Sequence, residues 1–290
     1  MKIDIDCIAR GNVTTRDLTP LSLNAMSNSA TRRTVIITGA AEGIGRAIAT
    51  RLARDGYDLG LFDLPHARDR LEELAESTRT RHGAKVCNVY GDVTVEDDVK
   101  RLVETVVQEL GGLYAFIANA GIARIGTLHE VPTEEFDKLM NVNVKGVFFS
   151  YKYAAIQLIK QGHGGRMIGA ASAAGKKGAS GWGVYSASKF AVRGLTQSAA
   201  MDYGKYGITV NAYAPGFIET PLLEGIDEIY SAKIGKPKGT WTQESSANWN
   251  VLRRHGQPDD VANLVSFLVS DNAAFITGQS YSIDGGMHFD

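Results

Sequence analysis

Tyr185 and Lys189 stand four residues apart in Tyr185-Ser186-Ala187-Ser188-Lys189. On a helix that spacing sets a phenol beside an ammonium on one face. The pair suits proton transfer at an alcohol or a ketone. Oxidising an alcohol needs a base for the hydroxyl proton while hydride departs. A free phenol titrates near about 10, too high for that task at neutral pH. A neighbouring ammonium favours the phenolate. Lowering the phenol by three units takes about 4 kcal/mol, and a close, partly desolvated Lys189 is of the right order to supply much of it. A single Tyr-x-x-x-Lys match means little in a chain with 11 tyrosines, so the pair needs company. Ser172, in Ala170-Ala171-Ser172-Ala173-Ala174-Gly175, offers a hydroxyl to hold a substrate oxygen. Asn119 sits in Asn119-Ala120-Gly121, and Asn143 in Asn141-Val142-Asn143-Val144-Lys145-Gly146. Asp92 follows a short β-like run, where an adenine amino group could be met. Each of these, taken alone, equally marks a strand end or a bent helix.

A second constellation is Thr38-Gly39-Ala40-Ala41-Glu42-Gly43-Ile44-Gly45, between an apolar strand-like run and a helical pattern. Glycines let a pyrophosphate approach the backbone closely. The helix N-terminus that follows presents free N–H groups and partial positive charge. A glycine triplet by itself marks only a tight turn, and the strand-turn-helix context makes it a dinucleotide site. Asp63 ends the next strand-like run. A carboxylate there accepts from the adenosine ribose hydroxyls and repels a 2′-phosphate. Glu42 adds negative charge where an NADP site wants a cation, and Arg46 lies inside the helix, pointing to solvent. NAD is favoured over NADP.

Elements must carry these residues to one place. Strands are expected at Val35–Thr38, Leu59–Phe62, Val86–Tyr90, Leu113–Ala118, Met167–Ala171, Thr209–Tyr213 and Ser280–Ile283. Helical patterns alternate with them. Val99, Leu102, Val103, Val106 and Leu110 form one apolar stripe, with Thr94 and Asp97 as a capping box before it. Pro258 suits a first helical position, ahead of Val261, Leu264, Val265 and Leu268. The alternation implies an α/β fold: a doubly wound parallel sheet of about seven strands with helices on both faces. Ligands of such sheets lie at the carboxyl ends of the strands. The candidate residues repeatedly follow strands.

Composition narrows the function classes. The chain has 290 residues, 44% hydrophobic and 22% charged, with net charge -1. That is an ordinary globular composition with no basic surplus for nucleic acid. No apolar run is long enough for a bilayer, so no membrane partner is expected. Two cysteines, Cys7 and Cys87, form no disulfide framework and fit a reducing, cytoplasmic compartment. The six histidines are scattered, and no catalytic metal is expected. Residues 1–33 lack periodicity and read as a disordered tail, with a targeting peptide disfavoured by Asp4, Asp6 and Asp17. Residues 34–290 read as one dinucleotide-binding catalytic domain.

TGAAEGIG, Asp63, Asp92-Val93, the ANAG run, Asn143, Ser172, Tyr-x-x-x-Lys and Pro215-Gly216 occur in that order. In this the chain resembles the single-domain short-chain dehydrogenase/reductase family over residues 34–290. The motifs are weak singly and specific jointly. The resemblance implies a Rossmann-type fold, with Tyr185 as general acid/base and Lys189 as its pKa modulator and ribose ligand. It implies Ser172 as donor to the substrate oxygen and Asn143 as anchor of a relay water. It places Gly39, Gly43, Ile44 and Gly45 on the pyrophosphate, and Asp63, Asp92, Val93 and Asn119 around the adenosine. It places Pro215, Ile218 and Thr220 at the nicotinamide end. It further implies a homotetramer built partly through the helices after Thr133 and around Tyr185.

Within the family, the stretch from Tyr185 through Pro221, Gly235-Lys236-Pro237 and the closing Thr277 to Met287 are similar to acetoin reductases (2,3-butanediol dehydrogenases). Those carry Gln after the catalytic Ser and an Asn further on, where this chain has Ala173 and Ala179. Losing two hydrogen-bonding groups disfavours a compact polar diol. The expectation is therefore an NAD-dependent alcohol dehydrogenase or carbonyl reductase for a small-molecule substrate. Acetoin, diacetyl or 2,3-butanediol is one reading, and a bulkier cyclic or secondary-metabolite ketone the alternative. Residues 221–250, with Trp241 and Trp249, are read as a substrate lid. A non-catalytic NAD-binding module would have no use for Asn143, Ser172, Tyr185 and Lys189 together.

Overall fold

The computed structural model describes residues 32–289, which lie in one compact unit from Arg32 onward. Strand β1 (Thr34–Thr38), helix α1 (Gly43–Arg54), β2 (Asp58–Asp63), α2 (Arg68–His82), β3 (Val86–Tyr90) and α3 (Glu96–Leu110) form its first half. Then come β4 (Ala115–Ala118), α4 (Thr133–Met140), α5 (Gly146–Gln161), β5 (Gly165–Ala170), α6 (Gly183–Tyr203) and β6 (Ile208–Pro215). Helices α7 (Pro221–Lys233), α8 (Thr240–Trp249) and α9 (Pro258–Val269) precede β7 (Ser280–Ile283). The seven strands form one parallel sheet in the order β3-β2-β1-β4-β5-β6-β7. The sheet is doubly wound, as the alternation predicts.

β1 reads Thr-Val-Ile-Ile-Thr without polar alternation because both its faces are covered. Successive side chains point to opposite faces. Val35 and Ile37 join Leu59 and Leu61 under Ile48 and Leu52 of α1 and Val265 of α9. Ile36 joins Phe62, Phe116 and Met167 under Val103 of α3 and Leu158 of α5. The order reverses at β1, which pairs with β2 on one side and β4 on the other. A crevice opens there at the strands' carboxyl ends.

Three local expectations shift. β4 starts at Ala115, because Leu113 is held through both main-chain groups by the Gln161 side chain (2.9 and 2.6 Å) and stands outside the ladder. β5 ends at Ala170, and Ser172 caps the 3₁₀ turn Ala173–Gly175 just beyond. The Thr94–Asp97 capping box does not form. α3 begins at Glu96 after Val95, and Asp92 takes the Thr94 amide at 2.8 Å. Pro258 does open α9, where Gln257 and Asp260 make a capping box.

The tail expected over 1–33 lies, through residue 31, outside the described residues. Arg32 donates to the His82 carbonyl at 2.8 Å. Arg33 pairs with Asp271 at 2.8 Å and lies 4.3 Å over the Tyr114 ring. Among the described residues, no helix is long and apolar enough to cross a membrane, and no group of His, Cys, Asp and Glu could hold a metal ion.

Candidate active site

One cavity of about 490 Å³ lies along the strands' carboxyl ends. It is lined by Gly39, Gly43, Ile44 and Gly45 from the glycine turn, and by Asp63, Asp92, Val93 and Asn119 from the next strand ends. Ser172, Tyr185 and Lys189 line it, as do Pro215, Ile218 and Thr220. Asn143 alone among the expected catalytic and cofactor-binding residues is not at its surface.

The glycine turn fits a pyrophosphate. Gly39 and Gly43 have φ of 64° and 56°, left-handed conformations that favour glycine. A Cβ on Gly45 would lie 2.0 Å from the Gly39 carbonyl oxygen. α1 therefore starts hard against the end of β1. Its N-cap, Glu42, caps no amide with its side chain. The first amides of α1 thus lack a side-chain partner at a cavity wall, where a helix N-terminus attracts anions.

The charges around the turn are arranged as follows. Asp63 accepts from the Ala41 amide at 2.9 Å and from the Leu64 amide at 2.8 Å, so its carboxylate is fixed at the cavity. Glu42 faces Arg70 at 3.5 Å, which partly matches its charge, and Arg70 also lines the cavity. Arg46 turns away and pairs with Glu73 at 2.9 Å on the surface.

The asparagines act as rivets. Asn119 donates to the Thr38 and Gly39 carbonyls at 2.9 and 3.0 Å and accepts from the Tyr213 hydroxyl at 2.8 Å. It ties β4, β1 and β6 together under the turn. Asn143 lies in a π-helical turn, Asn141–Lys145, between α4 and α5. Its amide donates to the Ile122 carbonyl (2.9 Å) and the Ser188 hydroxyl (3.1 Å), and its oxygen accepts from the Ile122 amide (2.9 Å). Both of its hydrogens are thus committed, and one oxygen lone pair remains. Gly121 leaves space beside it: a Cβ there would be 3.3 Å from Asn143 Oδ1 and 3.4 Å from Lys189 Nζ.

Ser172, extended just past the end of β5, accepts from the Ala174 amide at 3.2 Å, donates to the Pro215 carbonyl at 3.5 Å and lines the cavity together with Tyr185. Burial pushes the Tyr185 phenol above its ordinary value, and the neighbouring Ser172 hydroxyl pulls it back part of the way. Lys189 Nζ donates to the Ala170 carbonyl at 2.8 Å and lies 5.6 Å from the Tyr185 ring centroid. Burial lowers Lys189 to about 8. Burial thus sets the direction for both groups, and the expected lowering of Tyr185 by Lys189 does not accompany it.

Beyond Tyr185 the cavity is apolar. Trp182 meets Tyr185 edge-on at 5.6 Å, and Phe217 lies 6.3 Å from Trp182 and 5.4 Å from Trp249. These three rings line the cavity with Ala173, Ala179 and Ile226. Trp241 does not line it but stacks on Tyr230 at 4.6 Å and meets Phe217 edge-on. Trp182 and Phe217 were not singled out from sequence. Trp182 sits one helical turn before Tyr185, a spacing that could have flagged it. Tyr213, which fixes Asn119, carried no sequence signal.

A family profile described as enoyl-(acyl carrier protein) reductase matches residues 39–288. A short-chain dehydrogenase/reductase of Armillaria gallica is 45% identical, covering 89% of this chain and 97% of that protein. An L-2,3-butanediol dehydrogenase of Corynebacterium glutamicum is 41% identical, covering 88% of this chain and 98% of its own. The crystal structure of levodione reductase superposes with a TM-score of 0.82 at 33% identity, over 87% of this chain and 96% of that one.

Proposed function

The chain belongs to the short-chain dehydrogenase/reductase family, and from that premise we propose that residues 34–290 form one catalytic domain reducing a bulky, largely apolar ketone with NADH, and oxidising the matching secondary alcohol with NAD. The interconversion of an alcohol and a ketone with a nicotinamide cofactor is the chemistry of the family and its named relatives. The observation that carries the reading is the placement of Ser172, Tyr185 and Lys189 on the wall of the same cavity that the glycine turn lines.

When bound, the cofactor supplies or accepts the hydride. Ser172 orients the carbonyl oxygen beside Tyr185, whose phenol, protonated near neutrality, donates to it. Lys189, charged below about 8, holds a positive charge near the phenolate that results and restores its proton through the space at Gly121 beside Asn143. Oxidation runs the same transfers in reverse. Asp63 binds the adenosine ribose and selects NAD, since a 2′-phosphate would meet its carboxylate. Asp92 and Val93 border the adenine. Asn119 supports the turn from beneath, and Pro215, Ile218 and Thr220 hold the nicotinamide end. Residues 221–250 form the lid.

The bulky substrate follows from the apolar wall beside Tyr185, built of Trp182, Phe217 and Trp249 with Ala173 and Ala179. Such a wall offers area rather than hydrogen bonds. The second reading, acetoin or diacetyl, is favoured by the 41% identity to an L-2,3-butanediol dehydrogenase. We also propose a cytoplasmic homotetramer. Exposed Phe148 and Ile156 on α5, and Phe190 and Met201 on α6, give these helices apolar outer faces for the contact.

The test is NADH oxidation by the purified chain against diacetyl, acetoin and graded bulkier ketones, with NADPH in parallel. Tyr185→Phe is the control and should lose about 100-fold or more while still binding NADH. Retained turnover in that variant would remove Tyr185 from the proton transfer. Equal use of NADPH would remove Asp63 from cofactor choice. Turnover confined to acetoin and diacetyl would replace the bulky substrate with the small one.

A further inference from the structure

α8 begins in an unusual way. Its N-cap is Gly239, with φ 94°, which has no side chain to satisfy the first amides. The cap comes from α7. Asp227 accepts from the Gly239 amide through one oxygen and from the Thr242 amide through the other, the latter at 2.8 Å. Ser231, one turn on, accepts from the Trp241 amide at 3.2 Å. The Thr242 hydroxyl donates to the Gly239 carbonyl at 3.0 Å, and it and the Ser231 hydroxyl lie beside the Asp227 carboxylate. Asp227 and Ser231 are 2% and 1% exposed. Burial raises the Asp227 carboxyl, but the bonds from the Gly239 and Thr242 amides, with the two hydroxyls beside it, outweigh that and leave it below the usual carboxylate range. Among the described residues no Lys or Arg pairs with it. The positive end of α8 is its partner.

This cap fixes a ring wall. Trp241, whose amide is held by Ser231, stacks on Tyr230 with ring planes 14° apart. Its edge meets Phe217 at 5.3 Å and Trp249 at 6.3 Å. Phe217 and Trp249 line the cavity. We infer that Asp227 is a positioning residue for substrate selection: by capping α8 from α7 it sets Trp241, and through Trp241 the Phe217–Trp249 wall that a bulky ketone contacts. This rests on the reading of the cavity as a ketone site.

Three readouts on Asp227→Asn and Ser231→Ala test it. Asparagine keeps the size of the side chain but turns one acceptor into a donor facing the α8 amides. The KM for a bulky ketone should rise about tenfold, the scale of one charge-assisted bond. The KM for diacetyl and the Kd for NADH should change less than about twofold. The near-ultraviolet circular dichroism of the Tyr230–Trp241 stack should weaken. Ser231→Ala should raise the bulky-ketone KM and weaken the dichroism in the same direction by less, and it carries the test if Asp227→Asn fails to fold. Unchanged dichroism with an unchanged bulky-to-small KM ratio overturns the proposal, as does an equal rise for both ketones. A wild-type protein that turns over no ketone sinks the functional reading instead, and the dichroism then still decides whether Asp227 sets the rings.

Discussion

Tyr185 and Lys189 are tuned in opposite senses by the same burial. The phenol is raised and stays protonated near neutrality, ready to donate to a ketone. The ammonium is lowered to about 8. Ketone reduction that needs a charged Lys189 should therefore decline as pH rises through about 8. Stability runs the other way. The unfolded lysine titrates near about 10.4, so between about 8 and 10.4 the unfolded chain binds the extra proton. The cost of burying the charge is full below about 8 and is relieved as pH climbs to the unfolded value. Lys189→Met should thus raise the Tm at pH 7, lower activity about 100-fold or more, and remove the limb near pH 8. Matched melting and kcat/KM profiles against pH check all three. A limb that persists in the variant belongs to another group. The spacing of Tyr185 and Lys189 identified the pair. The balance of desolvation against charge was not legible, because it depends on how deeply other elements bury both groups.

The glycine turn works as a joint between β1 and α1. Gly45 packs against the Gly39 carbonyl, which Asn119 also holds at 3.0 Å. A methyl group there has no space: the nearest neighbour is the Gly39 backbone carbonyl, which cannot swing aside, and the Asn119 side-chain amide lies 2.6 Å away. Gly45→Ala should push α1 off the strand end, costing about 1–3 kcal/mol and most of the NADH affinity. Thermal melting and calorimetric titration measure the two losses. Unchanged binding would mean that the α1 N-terminus does not meet the pyrophosphate. Elements of this kind were readable. β1 carries Val35, Ile36 and Ile37 in a row because it is covered on both faces, and the α3 stripe has helical period. Their ends were less so. Gln161 reaches from the end of α5 to hold Leu113, and Asp92 takes the Thr94 amide. Such side-chain bonds override local pattern.

At the scale of the whole molecule, the outer faces of α5 and α6 remain apolar. Ile156 is 53% and Met201 84% exposed, which a second copy of the chain would cover. Ile156→Glu puts a charge into that contact and should reduce the assembly to smaller species without unfolding the domain. Light scattering with size-exclusion chromatography reads the mass, and circular dichroism the fold. A wild-type protein that runs as a monomer removes the tetramer.

The amino-acid sequence by itself determined the parallel doubly wound sheet, the glycine turn and the order in which Ser172, Tyr185 and Lys189 follow their strands. Periodicity and spacing are local, and they survive without knowledge of distant neighbours. Only the tertiary structure decided that Asn119 and Asn143 spend their side chains on main-chain groups and on the Tyr213 and Ser188 hydroxyls. It alone brought Trp182, Phe217 and Trp249 from three separate segments to one wall, and set a carboxylate of α7 on the start of α8. Those contacts join residues far apart in the chain, and no repeat or motif records a partner that folding alone brings near.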